Sequence, residues 1–487
     1  MATFIKILLV LLLLLVGLFS ISSLAYARST ENHLLSSKTT SSANQTESPN
    51  LFPQEDINSS VAVHNPRLVD QNFKFPFLPP FNPFIRYLGE NAGYYPLPNT
   101  GARIFYFFFE SLFRSVEDPV VLWLSGGPGA SGSIALFYEN GPLQLKEDLS
   151  LIWNVYGWDK ISNIIFVDQP IGTGFSYTTN NIDIRHNLTS VIEDLYNFLQ
   201  QFFQDRLDFA QNDFYIIGQS YAGHFAPVLA SRILQGNKVN KGIHINLKGL
   251  AIGNGLTNPR IQYPTIPFFA KMNNLIEETD YLKVDEMIPK CESSIEDCDR
   301  GDDDACLTAD DNCRRMVQAI RGMTNRNFYD IRTQSAGSLD YDFSNLESFL
   351  NKRSTKKSLN VGDRTYMNWN TLVFRALKRE HMKNFDVGIP ALLEAKIKVL
   401  IYAGNKELMC NWIGNMKWVL ELEWYGKQEF TKAPFVPFLV DDKEVGKMMS
   451  HGLLTFIQVF EAGHMVPMDQ PNVALHMIRN WMQEEVK

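Results

Sequence analysis

The chain has 487 residues, 45% of them hydrophobic and 12% aromatic, with 45 Lys and Arg against 53 Asp and Glu and a net charge of −8. The apolar share excludes a disordered protein, the length fits one large α/β domain with insertions, and the acidic balance argues against a nucleic-acid partner. In chain order, Lys6 precedes an apolar run over residues 7–19, and Ala25-Tyr26-Ala27 forms a small-residue cleavage signature. The run is too short to span a bilayer comfortably, so residues 1–27 read as a secretory signal peptide, with no membrane association after cleavage. The mature chain is expected to be secreted or vacuolar, and Asn44, Asn58 and Asn187 then lie in glycosylation sequons. Residues 28–80 are rich in Ser, Thr, Asn and Pro and lack periodicity, which predicts a flexible leader or pro-segment.

Residues 81–487 read as one domain. β-Prone runs at 103–109, 120–124 and 163–167 precede a helical pattern over 188–203, with apolar residues at Val191, Leu195, Phe198 and Leu199. Further strands are expected at 247–252, 396–402 and 454–460. The alternation lapses at about 259–360, which predicts an inserted cap subdomain. An acidic run from Glu296 to Asp311 falls there but lacks the D-x-D-x-D-G spacing of a calcium loop, so a solvated loop is expected and no metal. Cys291, Cys298, Cys306 and Cys313 also fall there. In a secreted chain they suggest two local disulfides; the spacing allows Cys291–Cys306 with Cys298–Cys313, but connectivity does not follow from sequence. Zinc is disfavoured, since no C-x-x-C is present. Cys410 stands apart and is expected to be a buried free thiol. Strands alternating with helices around this insertion predict a mostly parallel sheet flanked by helices.

The stretch Phe214-Tyr215-Ile216-Ile217-Gly218-Gln219-Ser220-Tyr221-Ala222-Gly223 is a G-x-S-x-G pattern in strand–turn–helix context. Such a turn lifts a serine hydroxyl above a sheet, at a helix N-terminus. Serine needs a histidine base and an acid to orient it, in the order Ser, acid, His for an α/β-hydrolase fold. The strand at 396–402 leads to Glu407, and the strand at 454–460 leads to His464, so these two are the candidate acid and base for Ser220. An oxyanion hole needs two backbone N–H groups. Tyr221, after the nucleophile, and Gly127, in Ser125-Gly126-Gly127-Pro128-Gly129, are the candidates; the absence of G-K-[ST] excludes a phosphate loop.

With these residues in view, the chain resembles the serine carboxypeptidases, in particular the plant secreted serine carboxypeptidase-like group. Trp123-Leu124-Ser125-Gly126-Gly127-Pro128-Gly129 is similar to W-L-N-G-G-P-G, and Gly218-Gln219-Ser220-Tyr221-Ala222-Gly223 to G-E-S-Y-A-G. Asp168-Gln169-Pro170-Ile171-Gly172-Thr173-Gly174-Phe175-Ser176-Tyr177 and the run from Gly463-His464-Met465 to Pro471 match closely. The resemblance covers residue 70 to the C-terminus. It implies removal of C-terminal residues from peptides through an acyl-enzyme, without a cofactor. It also implies that Ser125, Gly126, Glu139 and Gln219 bind the substrate's terminal carboxylate. The chain departs from the pattern at Glu407 (Asp in the family), Ser125 (Asn), Gln219 (Glu) and Ala130 (Cys). The resemblance places the missing cysteine's partner near Trp369, and a second lost pair at Ser335 and Asp340. Paired loss is what a disulfide predicts. Two alternatives are carried: the resemblance also implies an acyltransferase using sugar-ester donors, against which Ala222 speaks, and the four substitutions near the site raise a catalytically impaired binding homologue on the same scaffold.

Overall fold

A computed structural model of the chain describes residues 67–75, 90–240, 242–301, 303–336 and 340–483. The signal segment, Asn44, Asn58 and most of the expected leader lie outside the described residues. Thirteen strands are found among them: β1 Val69–Asn72, β2 Glu90–Pro96, β3 Arg103–Phe109, β4 Val120–Leu124, β5 Leu143–Leu145, β6 Leu151–Trp153, β7 Asn163–Asp168, β8 Phe214–Gln219, β9 Leu247–Gly253, β10 Lys398–Gly404, β11 Val436–Val440, β12 Lys443–His451 and β13 Leu454–Val459. Eleven form one sheet in the order β1-β2-β3-β7-β4-β8-β9-β10-β13-β12-β11, and β5 and β6 pair separately. From β7 to β13 every neighbouring pair is parallel, and both margins are antiparallel. This is the α/β-hydrolase fold, a mostly parallel sheet flanked by helices.

The sheet has a core on each face. Along β3, Tyr106 and Phe108 enter one core while Phe105, Phe107 and Phe109 enter the other. Along β4, Leu122 and Leu124 face one side, Val121 and Trp123 the other, and every residue is buried. A parallel strand covered on both faces requires that continuous apolar run. The helices used below are α1 Gly132–Tyr138, α2 Leu188–Asp205, α3 Ala222–Lys238, α4 Ile288–Asp299, α5 Asp303–Met323 and α6 Pro471–Gln483. Asn187, the one described sequon residue, is exposed and caps α2, its side chain accepting from the Ser190 amide at 2.8 Å.

Three expectations are changed by the structure. Residues 69–72, inside the stretch expected to be a flexible leader, form edge strand β1 against β2. Asp70 there accepts from Tyr106 at 2.6 Å and pairs with Arg206, and Phe73 and Phe75 are buried beside Phe107. The acidic run forms helices α4 and α5 over much of its length, not a loop. The disulfides are nested, Cys291–Cys313 and Cys298–Cys306, instead of interleaved. Helices α4 and α5 fold back on each other, so residues nearest the turn meet first and those further out meet next. Cys410 is a buried free thiol. Between β9 and β10 the described residues add no strand to the sheet. No described helix is long and apolar enough to cross a membrane.

Candidate active site

The parallel strands β4, β8, β9, β10 and β13 deliver loops to one edge of the sheet, outside their carboxyl ends. Ser220 sits between β8 and α3 with φ of 63°, a left-handed conformation that L-residues adopt at a cost. The turn is fixed by its backbone: the Ser220 amide donates to Gly253 O at 3.1 Å, and the Gly223 and Leu256 amides donate to Ser220 O at 2.9 Å each. The Ser-Gly-Gly-Pro-Gly loop after β4 lies against it. A Cβ on Gly126 would stand 2.5 Å from the Tyr221 amide nitrogen and 2.7 Å from Ser220 Cβ, so only glycine permits this approach. Gly127 has φ of 106°, again open to glycine. The amides of Gly127 and Tyr221 make no hydrogen bond to any other described residue.

His464 lies in the loop after β13. Its Nδ1 is 2.6 Å from Glu407 Oε1, with Glu407 fully buried and His464 nearly so. The longer acid is accommodated by donors on both oxygens. The Cys410 amide donates to Oε1 at 3.1 Å, and Asn254 Nδ2 donates to Oε2. Asn254 is itself held by the Gly404 amide, which donates to its Oδ1 at 3.0 Å. The His464 backbone amide donates to Tyr329 O at 2.7 Å, and the Tyr329 ring lies 4.8 Å from the imidazole. Neither Asn254 nor Tyr329 stands out in the sequence, although Gly253-Asn254-Gly255 at the end of β9 carries a turn signal.

Ser220, His464, Ser125, Gly126, Gly127, Tyr221, Glu139 and Gln219 line one cavity of about 450 Å³. Glu407 stands behind His464. Gln219 Nε2 donates to Glu139 Oε2 at 2.6 Å. Burial pushes the Glu139 carboxyl up to about 8, against the pull of the Gln219 amide and with a small push from Asp469. The Ser125 hydroxyl accepts from Trp123 Nε1 at 3.2 Å, and its carbonyl accepts from Gln169 Nε2 at 3.0 Å. Both altered cysteine positions are close pairs. Ala130 and Trp369 form an isolated antiparallel bridge, and Trp369 Nε1 donates to Pro128 O at 3.1 Å. The Ser335 hydroxyl donates to Asp340, whose carboxylate also takes Arg321 of α5 at 2.6 and 3.0 Å and the Phe328 amide at 3.3 Å.

A serine on a strand–helix turn, with a buried acid–histidine pair on later loops of a parallel sheet, is the arrangement of an α/β hydrolase. Within that class the chain belongs to the serine carboxypeptidase family, whose model matches residues 83–484. It is 51% identical over 445 residues to serine carboxypeptidase-like 48 of Arabidopsis thaliana, covering 89% of this chain and 87% of that one. It is 48% identical over 452 residues to serine carboxypeptidase 3 of Hordeum vulgare, covering 90% and 88%. The crystal structure of a prohormone-processing carboxypeptidase from Saccharomyces cerevisiae superposes with a TM-score of 0.74 at 25% identity, over 81% of this chain and 91% of that one. The serine carboxypeptidase reading therefore stands over acyl transfer from sugar esters.

Proposed function

We propose that the protein removes C-terminal residues from peptides, with Ser220 as nucleophile, His464 as base and Glu407 orienting the imidazole. The observation that carries this reading is the buried Glu139–Gln219 pair in the same cavity as Ser220. A carboxyl held at about 8 keeps its proton in acid and neutral solution, so it donates to a substrate carboxylate instead of repelling it. An endopeptidase has no use for such a group. Gln219 offers a second N–H, and the Ser125 and Gly126 loop closes the same side.

The steps follow from this placement. His464 takes the Ser220 proton as Oγ attacks the scissile carbonyl carbon, and the oxygen gains its charge facing the free Gly127 and Tyr221 amides. The imidazolium is stabilised by the Glu407 carboxylate. It returns the proton to the departing amine, leaving an acyl ester on Ser220. Water, deprotonated by His464, cleaves that ester. The assembled acid–histidine pair favours turnover over binding alone. Secretion or vacuolar delivery fits the N-terminal signal pattern and the two disulfides.

The test is cleavage of an N-blocked dipeptide and of the same dipeptide as its C-terminal amide. The acid is expected to be hydrolysed and the amide to be a poor substrate. Ser220→Ala is expected to lower turnover by about three orders of magnitude or more with the fold intact. An unchanged rate in that variant, or equal rates on acid and amide, rejects the assignment.

A further inference from the structure

One face of α5 looks into the cavity: Arg314, Val317, Gln318 and Arg321, at spacings of three, one and three residues. The direction of a bound peptide, as placed above, decides which half of the substrate meets each end of this face. The terminal carboxylate lies at Glu139 and Gln219 and the scissile carbonyl between the Gly127 and Tyr221 amides. The acyl half therefore extends toward the Tyr221 ring and what packs on it. That ring lies 5.1 Å from His381, whose ring is 5.3 Å from Phe374, and the Arg314 guanidinium stands 4.9 Å over Phe374. Arg321 stands at the other end, beside Asp340 and Tyr341.

Arg314 is half of an oriented ion pair. Its Nε donates to both oxygens of Asp310, at 2.8 and 2.9 Å, and its Nη2 lies 3.3 Å from His381 Nδ1. The Asp310 side chain is fully buried, while 37% of the Arg314 side chain is exposed. The carboxylate thus stands behind and the guanidinium in front. Asp310 is also held by Lys378 at 3.1 Å and by His381 Nδ1 at 3.0 Å. Burial alone would raise its carboxyl, yet His381 and Arg314 hold it well below the usual range. The His381 imidazole is lowered as well, chiefly by its own burial and against the pull of Asp310. Lys378 turns its second contact to the exposed Asp311. A side chain entering this part of the cavity meets a cation whose counter-charge is on its far side.

We propose that Arg314 makes the acyl-side subsite select an acidic side chain at the residue preceding the scissile bond. An ionised Glu or Asp there accepts a charge-assisted bond from the guanidinium edge that Asp310 leaves uncovered. A Lys or Arg in the same place brings like charges together inside a partly desolvated cavity. The proposal rests on the carboxypeptidase assignment above, which alone sets the direction of the peptide.

The experiment compares kcat/KM for N-blocked dipeptides ending in Leu, with Glu, Gln, Leu or Lys before it, at about pH 6.5, where the substrate Glu is ionised. The Glu peptide is expected to exceed the Gln peptide by about tenfold, with Lys the poorest. In Arg314→Met the Glu-to-Gln ratio is expected to fall to near one, and in Arg314→Lys to remain above one. In the unmodified protein the same ratio is expected to grow between about pH 4 and pH 6.5 as the substrate carboxyl ionises, a readout that needs no variant. A Glu-to-Gln ratio at or below one, a ratio that is flat with pH, or a ratio unchanged in Arg314→Met overturns the proposal while the Leu peptide is still cleaved. Failure to cleave the Leu peptide would instead overturn the carboxypeptidase assignment.

Discussion

On the proposed reading, Gln219 puts a permanent donor where the family resemblance places a titrating glutamate. A glutamine has nearly the outline of a protonated glutamic acid and donates at every pH. Here it points its amide at Glu139, so one member of the pair titrates and the other does not. KM for a blocked dipeptide is therefore expected to stay level through the neutral range and to rise as pH passes about 8, where Glu139 gives up its proton. In Gln219→Glu a second carboxyl competes for the shared proton, and KM is expected to begin rising at lower pH. Measuring KM against pH for both proteins decides this; parallel curves would show that Gln219 does not face the substrate carboxylate. On the same reading, Asn254 positions the acid of the proposed triad. It reaches Glu407 from the end of β9, so Asn254→Leu is expected to leave KM nearly unchanged and lower kcat by about tenfold to a hundredfold. A change confined to KM would contradict that role. The candidate serine, acid and histidine were readable because each follows a strongly apolar strand. Asn254 was not, because a lone asparagine between two glycines carries the signal of any turn.

Among the elements, the strands buried on both faces were legible and the margins were not. β3, β4, β7, β9, β10 and β13 all begin and end within two residues of the apolar runs that announce them. β11 and β12 form a half-exposed edge hairpin: Pro437 interrupts the apolar residues of β11, and β12, with Lys443, Gly446 and Lys447, has no apolar run. β1 was hidden by the composition of the residues before it. The cysteine pairing was hidden because it depends on how α4 and α5 fold back. The segment joining α5 to the walls of the cavity is held by Asp340, which takes Arg321, Ser335 and the Phe328 amide. Asp340→Ala leaves those donors without their acceptor. It is expected to destabilise the protein by about 2 kcal/mol in urea unfolding and to raise KM, since Tyr329 and Tyr341 flank the same segment. Unchanged stability would show that the cluster only decorates the loop.

For the whole molecule, buried acids set the direction of the pH response. Burial raises Glu139 to about 8 and both Asp159 and Asp168 to about 6. A carboxyl raised on folding contributes stability that is complete below its unfolded pKa and is lost as pH climbs toward the folded value. The opposing groups are His224, which burial lowers to about 3, and His381, which burial also lowers, so their contributions are lost as pH falls below 6.5. From alkaline solution downward, Glu139 gains over the whole interval and the two aspartates add to it below 6, outweighing the two histidines. Tm is expected to be higher near pH 5 than near pH 8, roughly. A calorimetric profile with its maximum at or above neutrality would refute this. Further acid reverses the trend once Asp310 and Asp340, both held low, begin to take up protons.

The Ser335–Asp340–Arg321 cluster also sets what kind of chemical signal can loosen the cavity wall. Where two cysteines would make that fastening answer to electrons, a hydroxyl, a carboxylate and a guanidinium make it answer to protons. Thiol reductants find no sulfur in it. Their targets among the described residues are the two bonds between α4 and α5, while Arg321, Phe328 and Ser335 stay tied to Asp340 until the medium is acidic enough to neutralise it.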